Sequence, residues 1–177
     1  MMSTVKWSID PTHSEVTFKV KHLVISTVTG HFRSFEGNLE VSDENFDGAK
    51  ASFSADIDSI DTNVADRDAH LKSDDFFNAE KFPKLTFANG VMKKTGEDTY
   101  ELTGDLSIRD VSKKVSLKAE FGGQMVDGYG QTKAGFEITG SINRKEFGLQ
   151  WDMVTEAGGV VVGDTVKLAL NVQFTKE

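Results

Sequence analysis

Four histidines, an abundance of carboxylates and the absence of any cysteine set the chemistry open to this 177-residue chain. Without cysteine there is no thiolate nucleophile, no thiolate metal ligand and no disulfide. His13, Ser14 and Glu15 place a base, a hydroxyl and a carboxylate side by side, but neighbours on an extended strand point to opposite faces and cannot form a relay among themselves. A turn or capping role for Asp10 and Ser14 is the expectation. Asp66 and His70 stand four residues apart and could share a metal on one helix face, yet no third ligand and no H-E-x-x-H pattern accompanies them, so a solvated helix face accounts for them better. The acidic run Asp56, Asp58, Asp61, Asp66 and Asp68 lacks the glycine and closing glutamate of a calcium loop, and no metal is expected. Arg67 and Asp68 read as an ion pair fixing their segment, with a phosphate contact by Arg67 as the alternative. His22 shares a face with Val16, Phe18 and Val20, where an imidazole needs a partner or a polar ligand end. Arg144 follows an alternating strand and either meets an anionic head group or braces the Phe147–Trp151 loop.

The elements that must position these groups are strands. Val16, Phe18, Val20 and His22 alternate with Thr17, Lys19 and Lys21, which is the period of a half-buried strand. The pattern returns at Ala51–Ile57, Tyr100–Ile108, Val115–Phe121, Phe136–Ile142 and Val166–Phe174, giving eight or nine strands. Between Phe32 and Phe35 the phase slips by one residue, and a β-bulge near Arg33 and Ser34 is expected there. Turns are expected at Asp47-Gly48, Thr95–Asp98, Arg109–Ser112, Gly122-Gly123 and Gly158-Gly159. One segment departs from the pattern: residues 62–78 suit a short helix, with Ser73 capping a second turn, and form a lid between strands.

The net charge of −8 disfavours phosphate backbones and anionic membrane surfaces, so no nucleic-acid partner is expected. No stretch approaches the roughly 20 apolar residues of a membrane helix, which predicts no stable membrane insertion. The N-terminal MMSTVKWSIDP has no basic region followed by an apolar one, and the expectation is a cytoplasmic protein. No linker or repeat divides the chain, so residues 1–177 form one domain.

One polar face on each strand leaves one face to bury, by closure or by sandwiching, and closure also removes the edges. About eight strands enclose room for side chains or one small ligand. Gly37, Ala51, Ala55, Gly104, Ala119 and Gly140 are small residues on inward positions among Phe, Leu and Ile. Either they leave an apolar, partly empty lumen or they let the strands coil at barrel corners, and the pattern alone weighs the two equally.

Read end to end, the chain resembles the YceI-like family. The carriers are Trp7–Ser14 leading into Val16–His22, Gly30-His31-Phe32 with Phe35-Glu36-Gly37, and Ser59–Thr62. Arg67–Leu71, Asp75-Phe76-Phe77, Phe82–Phe87, Gly104–Arg109 and Asn143–Gly148 complete them. Their order and spacing across one domain make the combination specific. Asp110 stands at a turn where the family usually has glycine, and Ala88-Asn89 replaces its usual small hydroxyl residue. The resemblance implies a lipocalin-like barrel that binds polyisoprenoids or related long-chain lipids or amides. Many members carry a signal peptide, which sets this chain with a cytoplasmic branch.

Together these readings give an all-β chain, a single closed antiparallel barrel of about eight strands with a helical lid, holding an elongated apolar ligand and needing no cofactor. The expected lining is Phe18, Val20, His22, Phe32, Phe53, Ile57, Phe76, Phe87, Leu102, Leu106, Phe136, Ile138, Ile142, Arg144 and Trp151. The partner is a long-chain isoprenoid or fatty ligand, with a homodimer through the lid or an edge strand as an open expectation. An enzyme acting on an apolar substrate in the barrel and a stress-response interaction module are the alternatives. The first lacks a convergent acid, base and nucleophile, and the second lacks an exposed apolar patch.

Overall fold

The structure, a computed structural model, describes residues 4–23, 25–42, 46–151 and 162–177. Its strands are β1 (Val5–Ile9), β2 (Glu15–His22), β3 (Ser26–Phe32), β4 (Phe35–Val41), β5 (Lys50–Asp56) and β6 (Ile60–Asp61). They continue after the helix α1 (Ala65–Lys72) as β7 (Lys84–Lys94), β8 (Thr99–Ile108), β9 (Val111–Val126), β10 (Thr132–Asn143) and β11 (Val162–Lys176). The ring runs β1, β4, β5, β7, β8, β9, β10, β11 and closes where β11 pairs with β1, every pairing being antiparallel. The short strands β2, β3 and β6 continue β1, β4 and β5 beyond a break, so eight strand positions build a closed barrel.

The breaks explain the phase slip in the sequence. Where a bulge near Arg33 and Ser34 was expected, β3 ends and β4 begins. The same level is bent in the neighbours: a 3-10 turn Pro11–His13 separates β1 from β2, and another, Ile57–Ser59, separates β5 from β6. The bends hold each other, Arg33 N–H donating to Ser59 O at 3.1 Å and Asp56 N–H to Ser34 O at 2.9 Å. Three adjacent strands thus turn a corner together, which gives the coiling that closure requires. Gly122-Gly123 is also not a turn. It lies within β9, where a register shift against Gly135 and Phe136 marks a bulge, and the chain turns at Asp127–Gln131 instead. Gly158-Gly159 falls outside the described residues.

Alternation fills the barrel as expected. Leu39, Leu102, Leu106, Ile138, Val172 and Phe174 are buried while Glu40, Glu101, Glu137 and Asn171 are exposed. One end is sealed by aromatic rings: Phe46 packs at 5.4 Å from Trp7, 5.5 Å from Phe121 and 5.0 Å from Phe136, and Phe136 lies 5.9 Å from Phe174. Edge-to-face and tilted pairs of this kind add to the apolar burial itself. Beyond Phe121, β9 outruns β8, and its hairpin with β10 exposes Met125, Val126 and Tyr129. This is an exposed apolar group that the strand pattern did not anticipate. Among the described residues no helix is long and apolar enough to cross a membrane.

Candidate functional site

The lumen holds a cavity of about 340 Å³, within the range of small-molecule sites. Its wall on β11 extends from Val162 to Phe174, most of the length of that strand, so the cavity runs along the barrel and is elongated. At the aromatic end the wall residues Leu39, Met92, Val172 and Phe174 are buried. At the other end Val20, His22, Val28, Ile142, Trp151 and Val162 are partly exposed, and there the cavity approaches solvent beside α1.

The helix is anchored differently from the ion pair expected. Arg67 and Asp68 each bind Thr62, a buried residue just after β6. Asp68 Oδ1 accepts from Thr62 N–H at 2.8 Å and from its hydroxyl at 2.6 Å, while Arg67 donates to the Thr62 hydroxyl oxygen at 2.8 Å and to its carbonyl at 2.6 Å. Asp68 and Arg67 thereby tie the first turn of the helix to the chain just before it, while Val64, at the cap position, offers no side-chain acceptor. Ser73 caps the helix C-terminus, its hydroxyl donating to His70 O. His70 pairs with Asp75 at 2.8 Å rather than with Asp66, and its ring stands edge-on to Trp151 at 4.7 Å and Phe76 at 5.1 Å. Among the described residues no cluster of three metal-ligating side chains occurs.

The segment after α1 is clamped from across the barrel by Arg109. Its guanidinium donates to Asp74 O, Phe76 O and Asp74 Oδ1 at 2.8, 2.9 and 2.9 Å and lies 5.7 Å from the Phe82 ring centre. Arg109 sits in the β8–β9 turn at φ +56, a left-handed conformation that favours glycine and costs a long side chain about 1 kcal/mol. Retaining arginine there is rational only if the clamp outweighs the strain. Replacing Arg109 by glycine should relieve the turn yet speed amide hydrogen exchange across Ser73–Asn78 at least tenfold, equivalent to about 1.5 kcal/mol. Unchanged exchange in that segment would show that Arg109 does not hold the lid.

Fourteen of the fifteen expected lining residues stand on the cavity wall. Ile57 does not: it is buried in the 3-10 turn that breaks β5 from β6, because the strand ends before the alternation reaches it. His22 is partly exposed, and its ring has no hydrogen-bond partner among the described residues. Arg144 is 2% exposed. It donates to the carbonyls of Leu149 and Trp151 at 2.7 Å, Gly163 at 2.8 Å and Val162 at 3.3 Å, and Asp164 approaches to 4.0 Å. Of its two sequence readings, the brace is the one this geometry fits. The wall also takes Lys21, Arg67, His70 and Phe77, which the strand pattern alone did not assign to it. Arg67 and His70 could have been found, since both share the helix face that carries Leu71.

Every ionisable residue on the described wall is basic: Lys21, His22, Arg67, His70 and Arg144. In a chain of net charge −8 that is a local reversal, and it is confined to the end near the lid. The groups whose acidity is shifted lie elsewhere. Asp10 is held well below the usual carboxylate range by hydrogen bonds from Thr12, His13 and Lys133, and Asp61 is lowered by the Asn63 N–H and by Arg33. The Tyr100 phenol is raised by burial.

Fold and cavity together define a closed antiparallel barrel with an apolar, one-ended lumen. The YceI-like domain matches residues 7–174, and the chain belongs to that family. A UPF0312 protein of Staphylococcus epidermidis is 36% identical over 171 residues, covering 96% of this chain and 97% of the relative. Protein YceI of Escherichia coli O17:K52:H18 is 39% identical over 141 residues, 80% of this chain and 73% of the relative. Among solved structures, a Campylobacter jejuni YceI protein superposes with a TM-score of 0.72 at 32% identity, over 89% of this chain and 90% of that one. A polyisoprenoid binding domain from Saccharophagus degradans gives 0.71 at 16% identity over all of both chains, a likeness of fold.

Proposed function

We propose that this protein binds and carries one elongated apolar molecule, a polyisoprenoid or related long-chain lipid or amide, with its tail in the lumen and its polar end at the lid. The observation that carries the reading is an elongated apolar cavity closed by aromatic rings at one end and ringed by basic groups at the other. The polyisoprenoid-binding description of the Saccharophagus degradans domain supports the choice of tail. A tail that loses about 300 Å² of apolar surface gains roughly 7 kcal/mol at 25 cal/mol per Å², before ordering costs. Tail burial discriminates poorly among lipids, so selectivity falls to donors at the mouth, His22, Arg67 and His70 among them.

Carriage is favoured over catalysis in the lumen. No carboxylate stands on the described wall, and Asp75, the acid paired with His70, lies off it. His70 has an orienting acid in Asp75, but among the described residues no hydroxyl nucleophile is hydrogen-bonded to the ring of His22 or His70, which leaves the catalytic set incomplete.

Native mass spectrometry of gently purified protein, followed by solvent extraction, tests the proposal. A stoichiometric prenyl or acyl compound is expected. Ligand-free protein that shows no mass shift with added prenyl alcohols would overturn it.

A further inference from the structure

Lumen-facing glycines in this barrel lie beneath large side chains of adjacent strands. Gly30 and Phe18 are direct partners across β3 and β2, and a Cβ on Gly30 would stand 2.1 Å from Phe18 Cζ, with no other residue among its three nearest atoms. The tip of the Phe18 ring therefore lies on the glycine backbone. At Gly140 the nearest contact is Leu117 Cδ2 at 2.3 Å, at Gly104 it is Phe87 Cζ at 2.5 Å, and at Gly37 it is Ile9 Cδ1 at 2.6 Å. All four covering side chains are on the cavity wall.

Glycine within a strand weakens it, through lost packing and greater chain entropy. Here it gives room for a neighbour to lie flat. With an alanine in its place, the covering side chain would have to lift off the wall: Phe18 has the lumen beside it, and Leu117 borders both the lumen and an outer groove between β8, β9 and β10.

We infer that Gly30 with Phe18 and Gly140 with Leu117 are specificity-determining pairs that set the bore of the lumen and make it wide enough for a methyl-branched chain. The inference rests on the proposed ligand-binding role and deepens it. An isoprenoid carries a methyl group on every fourth carbon and is thicker than a straight fatty chain. A lumen narrowed by one lifted ring or isobutyl group would still pass the straight chain and would reject the branched one.

Phytanol and hexadecanol share a main chain and a head group and differ only in methyl branches, so their affinities isolate the bore. Wild-type protein should bind both. Gly30→Ala and Gly140→Ala should each weaken phytanol at least tenfold while changing hexadecanol less than about threefold, the discrimination that one or two methyl groups give in an apolar pocket. Adding Phe18→Leu to Gly30→Ala should restore phytanol binding, because the shorter side chain clears the new methyl group. Equal weakening of both alcohols, or no change in either, overturns the inference. Should Gly30→Ala fail to fold, Gly140→Ala alone decides.

Wild-type protein that binds neither alcohol would count against the ligand-binding role itself. The bore is then read from crystal structures of the two alanine variants. Phe18 or Leu117 turned into a smaller lumen upholds the assignment, and either side chain left in place or displaced outward overturns it.

Discussion

Arg144→Ala should destabilise the protein by about 4 kcal/mol in urea or thermal denaturation, because deleting the buried guanidinium leaves one buried and three partly buried carbonyls without their donor. The donors now serve Leu149, Trp151, Val162 and Gly163, which belong to two separate segments of the chain. Arg144 opens the 3-10 turn Arg144–Phe147 after β10, and that turn ends at Gly148 in a left-handed conformation, φ +83. Phe147 and Leu149, just beyond, are buried at 1% and 4%, so the loop is committed to the core and cannot float free to find water for its carbonyls. A planar fork reaches several acceptors at once where a lysine ammonium is a single point of donation. Arg144→Lys should therefore recover less than half of the lost stability. A loss under 1 kcal/mol in Arg144→Ala, or full recovery with lysine, would show that the carbonyls are satisfied in some other way.

The eight strand positions were legible because only period-two alternation can hide one face of so many short segments, and closure is the economical way to bury it without leaving edges. The lid was legible as an interruption of that period. What the pattern could not give was how the interior divides. Period-two reading carried Ile57 along with Phe53 and Ala55, but the chain leaves the strand at Asp56, and nothing in Ile57 itself announces the bend. Gly140 was recognised as a small inward residue and Gly30 was not, and the side chain that covers each of them was not legible. Their partners lie on other strands, in a register that a single sequence does not display. Arg144 and His22 illustrate the same limit from the polar side. Both are basic residues at strand ends, and only the neighbouring carbonyls separate a brace from a ring with no partner among the described residues.

Asp10 is where stability should depend most on acid. The carboxylate closes the break between β1 and β2: Oδ1 accepts from Thr12 N–H at 3.0 Å and from the Thr12 hydroxyl at 2.7 Å, and Oδ2 meets His13 Nδ1 at 2.8 Å and Lys133 Nζ at 3.1 Å. Lys133 is only 8% exposed although it alternates outward from Ala134 and Phe136 on β10, and its remaining contact is the Thr175 hydroxyl at 2.6 Å. Removing the charge from Asp10 would thus strand a buried ammonium, and Asp10→Asn should cost about 3 kcal/mol at pH 7. The sign with pH follows from the folded carboxyl being the stronger acid. Below the unfolded value, near 3.9, the unfolded chain takes up a proton that the folded chain refuses. Stability from this group is therefore complete above about pH 5 and drains away as pH falls toward the lowered folded value. Asparagine has no such proton to bind, so the gap between wild type and Asp10→Asn should narrow steadily below pH 5. Asp61, also lowered, leaves a residual acid dependence in both proteins and does not affect the difference. Urea denaturation at several pH values between 7 and 3 reads the gap directly, and a gap that stays constant over that range would mean that the contacts of Asp10 contribute to the fold without distinguishing its charged form.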